Sequence, residues 1–184
     1  MEAQQDTKAL QVSPGAADEA VETTQFLTFD MGTEIYGIEI RRIREIIECQ
    51  GITTIPLAAE FVRGVINLRG LVVPVIDLLI LFGKTQIPIG KRTCIVILDV
   101  EIDGNLLPVG LLVDAVREVV DLGPDDMEAA PSFGTGLRAG HIQAMGKIGE
   151  RFAILLNTDL LLSLNEIFAA LQNETAAGTE AAGV

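Results

Sequence analysis

The residue types that could carry out chemistry are few and badly placed for it. His141 is the single histidine, so any Ser or Cys nucleophile would have to use it as base. No Asp or Glu is tied to it by spacing, and its strand-like surroundings suit a structural imidazole. Cys49 and Cys94 lack the CxxC spacing and have no His or Cys cluster near them, as expected of reduced, partly buried thiols. Asp125-Asp126 is a two-residue acidic cluster in a loop-like stretch, better read as solvated carboxylates than as cation ligands. Gly83-Lys84-Thr85 matches the end of a phosphate-binding G-x-x-x-x-G-K-[ST] loop. That loop needs an earlier glycine so that its backbone can wrap the phosphates, and Leu78 stands at that position. The pattern supports no enzyme, no cofactor and no metal centre. What remains is Glu45 and Arg69, each interrupting a run that could have stayed aliphatic. They could pair and fix a surface between two strands, or be two unrelated solvated charges.

The stretch that positions Arg69 is the most distinctive in the chain. Arg63 to Leu78 reads R-G-V-I-N-L-R-G-L-V-V-P-V-I-D-L. Short β-branched runs bounded by glycine suit strands buried on both faces better than helices. Gly64 and Gly70 bracket the first run, Arg69-Gly70 forms the turn into the second, and Pro74 requires an edge position or a bulge. Asn67 is an amide among apolar neighbours and must find a partner, most simply by capping backbone.

On either side the chain reads as strands joined by glycine turns. Gln25–Met31 and Glu34–Ile40 form a hairpin through Gly32-Thr33. Arg41–Glu48 is compatible with either a short helix or a third strand. Ile52–Ile55 is a short strand, Ala58–Val62 one helical turn, Asp77–Phe82 leads to Gly83, and Lys84–Lys91 is a loop. A long strand after Arg92 turns at Asp103-Gly104-Asn105 and returns over Leu106–Val113, and Ala115–Leu122 follows. Gly123–Gly140 is a long loop with one helical turn. Ile142–Ile148 and Arg151–Asn157 form a hairpin through Gly149-Glu150, and Thr158 caps a helix with an apolar stripe at Leu161, Leu164, Ile167, Phe168 and Leu171.

Half of the chain is apolar (49%) and only 4% aromatic, enough for an aliphatic core in one domain or two fused small ones. Residues 1–24 and 173–184 are polar, Ala-rich and acidic, and read as disordered tails around a folded unit of about 25–172. A net charge of −13 argues against nucleic acid or an anionic membrane surface as partner. No uncharged run is long enough to insert into a bilayer and no signal peptide is evident, so a cytoplasmic protein is expected.

The two halves resemble each other. Phe26–Asp30 matches Ile95–Asp99. Gly37–Ile47 matches Gly110–Val120, pairing Arg44-Glu45 with Arg117-Glu118. The central hairpin has a weaker counterpart in F-A-I-L-L-N-T-D-L-L. Three matches in the same order favour two copies of one β unit.

The central motif, together with Tyr36–Ile47 (Y-G-I-E-I-R-R-I-R-E-I-I), G-L-L-V-D-A-V-R-E-V-V and R-F-A-I-L-L-N-T-D-L-L, resembles CheW, the family of bacterial chemotaxis coupling proteins, over about 25–170. The resemblance implies a mainly β fold: two intertwined five-stranded SH3-like β-barrels around a shared core, a few short helices and a C-terminal helix. It implies a non-catalytic adaptor that links the cytoplasmic tip of a chemoreceptor to the regulatory domain of the histidine kinase CheA. It places the positions of Ile43, Glu45 and Arg69 on the interaction surface, with Asn67, Gly64 and Gly70 shaping the hairpin, and kinase contacts on apolar barrel ends. A helix-in-groove contact needs an aliphatic floor and a few orienting charges, which these residues could supply. A CheW-like adaptor of a non-motility pathway controlling pili or a second messenger is the alternative within the family. A small-ligand-binding β-barrel is the alternative outside it. A long acidic N-terminal tail departs from the family pattern.

Overall fold

Apolar alternation punctuated by glycine gives a mainly β chain, and the computed structural model describes residues 21–102, 104–131 and 140–159 of it. The first hairpin is β1 (Thr24–Met31) and β2 (Glu34–Glu39), followed by a 3-10 turn at Ile40–Arg42 and β3 (Ile43–Glu48). The central hairpin is β4 (Val62–Leu68) and β5 (Leu71–Ile76), and it leads into the short helix α1 (Leu78–Leu81). The second half contains β6 (Cys94–Ile102), β7 (Asn105–Val113), β8 (Ala115–Leu122), a 3-10 turn at Pro124–Asp126, the two-residue β9 (Met127–Glu128), and the hairpin β10 (Ile142–Ile148) and β11 (Arg151–Leu156).

Several local expectations are refined. The ambiguous Arg41–Glu48 segment divides into the 3-10 turn and a strand. Ile52–Ile55 does not form a strand; only Thr53 pairs, bridging to Val65. Ala58–Val62 is not helical, because Val62 is drawn into the ladder opposite Ile76. Thr24 belongs to β1, opposite Leu122, rather than to the tail. The stretch expected to be buried on both faces is buried on one face in β4, whose residues alternate down to an exposed Asn67. Pro74 is in an internal strand, yet the ladder from β5 to β7 covers only Val75 and Ile76. The bulge lies in the partner strand, between Val62 and Gly64. Residues 21–23 of the expected first tail are exposed and outside any strand or helix, while residues 1–20 and 173–184 of the tails, and the helix expected after Thr158 beyond Asp159, fall outside the described residues.

The strands form two sheets, ordered β8-β1-β2-β11-β10-β9 and β3-β6-β7-β5-β4. Each is built from the first hairpin of one half and the later strands of the other. In each, the hairpin pairs antiparallel with the third strand of the opposite half, and its second strand pairs parallel with the last. The register repeats as well. Gly37 faces Thr28 and lies beside Leu155, while Gly110 faces Ile97 and lies beside Val75. A Cβ added at either would sit 2.8 Å from Leu155 Cδ2 or 2.6 Å from Ile95 Cγ2, so glycine there allows close packing at the parallel junction. Arg44 pairs with Asp99 (3.3 Å) at one bulge and Arg117 with Asp30 (2.9 Å) at its equivalent. The larger apolar cluster takes residues from both sheets, among them Phe29, Ile38, Val75, Ile95 and Leu111, so the halves share a core. A smaller cluster of Phe26, Ile35, Leu122, Ala153 and Leu155 lies within the first sheet.

An ionic clamp anchors the central hairpin from within. Asp77 is fully buried and caps α1 by accepting from Leu79 N (3.0 Å). It also accepts from Ile87 N (2.8 Å) and from Arg63 Nη1 (2.9 Å), and the same Arg63 nitrogen donates to the Ile87 carbonyl (2.8 Å). The clamp thereby holds the 84–91 loop against the core by the buried Ile87.

Tyr36 lies in that core, stacked between Phe29 and Phe82 at centroid distances of 6.4 and 6.2 Å. Its hydroxyl is buried without a hydrogen-bond partner among the described residues. Burial first, and the negative Glu34 second, push its pKa up to about 12. The folded state therefore keeps the proton that the unfolded chain releases near pH 10, and stability present below pH 10 is lost as pH rises towards about 12. Tyr36 is the only tyrosine, so tyrosinate absorbance in a pH titration reports this group alone and should show a midpoint near 12. Tyr36→Phe should be neutral or stabilising by up to about 1 kcal/mol, since it removes an unpaired buried hydroxyl. A midpoint near 10 would mean that water reaches the ring.

Candidate partner-binding site

The site is assembled at the tip of the central hairpin. Leu68 pairs with Leu71, which leaves Arg69 and Gly70 as a two-residue turn with φ of 51° and 88°. Positive φ at both central positions is what a type I′ turn requires, and it matches the twist of the flanking strands. Asn67 Oδ1 accepts from Gly70 N at 2.8 Å, so the amide caps backbone. Lower in the hairpin, Gly64 has a φ of 142° and lies against the chain arriving from β3. There Thr53 and Val65 exchange two backbone hydrogen bonds, of 2.9 and 2.8 Å.

β3 and β4 are the two edges of their sheet, and a side-chain contact joins them. Arg69 Nη1 donates to Glu45 Oε1 (3.1 Å) and Nη2 to Oε2 (2.6 Å), a bidentate pair. Arg69 is 76% exposed and Glu45 21%. Next to this bridge a hollow of about 610 Å³ opens between the edges, lined by Ile47, Glu48, Gln50, Gly51, Ile66 and Asn67. Ile43, Glu45 and Ile47 are the half-buried alternate residues of β3, and Ile43 packs against the core. The structure thus brings Glu45, Arg69, Asn67 and Gly70 together at one tip. Gly64 lies further down the hairpin, and Ile43 lies at the start of the facing strand.

Sequence reasoning missed the exposed apolar residues at this tip, Leu71, Val72 and Ile46. A β-branched run is ordinarily read as buried, and nothing local marks where a hairpin extends past its core. The Arg63–Asp77 clamp was also missed. Its signal is the one that picks out Glu45 and Arg69, namely opposite charges interrupting aliphatic runs.

The other candidates stay apart from this tip. Cys49 and Cys94 are free and half-buried; burial, outweighing the nearby Arg63, holds the Cys49 thiol above its usual range. His141 is buried, and its carbonyl accepts from Asn157 N. Asp126 accepts from Gly123 N, closing its own turn. Among the described residues no group of three or more His, Cys, Asp or Glu is placed to hold a metal ion, and no helix is long and apolar enough to cross a membrane.

Comparison with known proteins gives this geometry a family. The CheW-like domain family matches residues 25–166. The chain is 35% identical to the chemotaxis protein CheW of Klebsiella aerogenes, over 78% of this chain and 84% of that protein. It is 31% identical to the chemotaxis protein CheW of Treponema pallidum, over 79% of this chain and 86% of that protein. Its fold is similar to the crystal structure of the scaffolding protein TtCheW from Thermoanaerobacter tengcongensis, with a TM-score of 0.69 and 29% identity, covering 83% of this chain and 96% of that one. Proteins of this kind are chemotaxis scaffolds without catalytic activity, and the chain belongs to the CheW family.

Proposed function

We propose that the protein couples the cytoplasmic tip of a chemoreceptor to the regulatory domain of the histidine kinase CheA, working in the cytoplasm and meeting the membrane only through the receptors it binds. The observation that carries this reading is the Glu45–Arg69 bridge across the two edges of one sheet, beside an open hollow with an Ile47 and Ile66 floor. A rigid surface with an aliphatic floor and a fixed charge pair suits an amphipathic helix. In this reading Ile43, Glu45 and Arg69 face the partner, and Asn67, Gly64 and Gly70 hold the hairpin that presents them. The folded unit of about 25–172 is sufficient for both contacts.

The test is titration of the labelled protein with the kinase regulatory domain and, separately, with a receptor-tip fragment. Saturable binding to each without mutual competition is expected. Arg69→Ala should lose less than about 1 kcal/mol of stability, because the pair is exposed. It should weaken one of the two interactions at least about tenfold. An Arg69→Ala protein that unfolds, or that binds both partners as the parent does, contradicts this assignment.

A further inference from the structure

We infer that Arg69 receives a carboxylate of the receptor-tip partner on the edge of its guanidinium that Glu45 leaves free, an inference that rests on the coupling role proposed above. A guanidinium carries five N–H donors. Glu45 takes one from Nη1 and one from Nη2, and Nε–H with the one Nη hydrogen on its side forms a second fork of the kind that binds carboxylates in parallel. Among the described residues no group other than Glu45 bonds to the Arg69 guanidinium, and its side chain is 76% exposed. Glu45 holds the side chain in one orientation, and the turn holds its backbone at a φ of 51°, so the cation is set in place before the partner arrives. Leu71 and Val72, exposed immediately beyond the turn, supply apolar contact for the residues flanking that carboxylate. The chain as a whole carries a net charge of −13, and a cation held in one orientation at this tip sets the register of an acidic partner.

The duplication strengthens the assignment by contrast. In the other half Glu118 corresponds to Glu45, and Gly149-Glu150 takes the turn position of Arg69-Gly70, between Ile148 and Arg151. No ion pair reaches Glu118 among the described residues. The Glu45–Arg69 bridge therefore has no counterpart at the equivalent tip among the described residues.

The experiment is a set of double-mutant cycles. Each acidic residue of a receptor-tip fragment is neutralised in turn (Glu→Gln or Asp→Asn) and titrated against the parent protein and against Arg69→Gln. One neutralisation is expected to weaken binding to the parent about fivefold or more and to cost nothing further against Arg69→Gln. If every neutralisation costs the same factor against both proteins, the carboxylate contact is overturned while the coupling role stands. If the parent does not bind the fragment at all, the coupling role falls and this inference falls with it.

Discussion

Asp77→Ala is expected to cost about 3–5 kcal/mol of folding stability, the usual penalty for removing one member of a buried ion pair. The Asp77 carboxylate is fully buried and accepts from Leu79 N, Ile87 N and Arg63 Nη1. Without it the Arg63 guanidinium, itself only 16% exposed, keeps its charge with no counter-charge. The first turn of α1 loses its cap at the same time, and the Ile87 loop loses one of its two tethers. Urea denaturation followed by circular dichroism should show a much lower midpoint. Asp77→Asn should be intermediate, since the amide oxygen still accepts from backbone while the charge goes uncompensated. The double variant Arg63→Met with Asp77→Leu should recover part of the loss, because an apolar pair of similar volume carries no desolvation penalty. A loss below about 1 kcal/mol for Asp77→Ala would show that water reaches Arg63 readily.

Gly64→Ala comes next, at about 3 kcal/mol or more. A Cβ at this position would lie 2.1 Å from the Thr53 carbonyl oxygen, at a φ of 142° that side chains rarely adopt. Backbone cannot rotate away as a side chain can, so the Thr53–Val65 bridge and its two hydrogen bonds must open. Gly70→Ala provides the comparison. Its φ is also positive, yet nothing lies within 4 Å of the added atom. It should cost only the conformational term, about 1–2 kcal/mol. Similar losses for the two variants would mean that the backbone angle alone governs and that the contact with Thr53 is unimportant. Because Gly64 lies beneath the Arg69 turn, its alanine variant should also bind partners more weakly than the fraction folded accounts for.

The hairpins were legible in the sequence because their information is local. Alternation fixes which face is buried, and Gly32, Gly70, Gly104 and Gly149, all at positive φ, mark the turns. The repeat was legible too, since Thr28 with Gly37 and Ile97 with Gly110 occupy corresponding positions in the matched segments. The choice of sheet partners was not. β11 against β2 and β5 against β7 are short parallel pairings between aliphatic strands distant in sequence, and no local code distinguishes one such strand from another. The Glu45–Arg69 pair was one of two open readings, and only the return of the two sheet edges to each other, a long-range fact, decides between them. Asn67 was singled out for the burial of its neighbours but is exposed, because the tip projects beyond the core that its strand helps to build.

Each sheet is completed by strands borrowed from the other half of the chain, and this bears on how such a protein could arise and how it must fold. A lone copy of the unit would hold a hairpin with no sheet to join and three strands with no hairpin to receive them. Before duplication, the ancestor could have closed its sheets only as two identical chains exchanging strands, and fusion turned that exchange into an intramolecular one. Neither half is then a folding unit. Cleavage in the 84–91 loop should leave two fragments that are unstructured apart and regain the fold only when mixed, as a non-covalent pair.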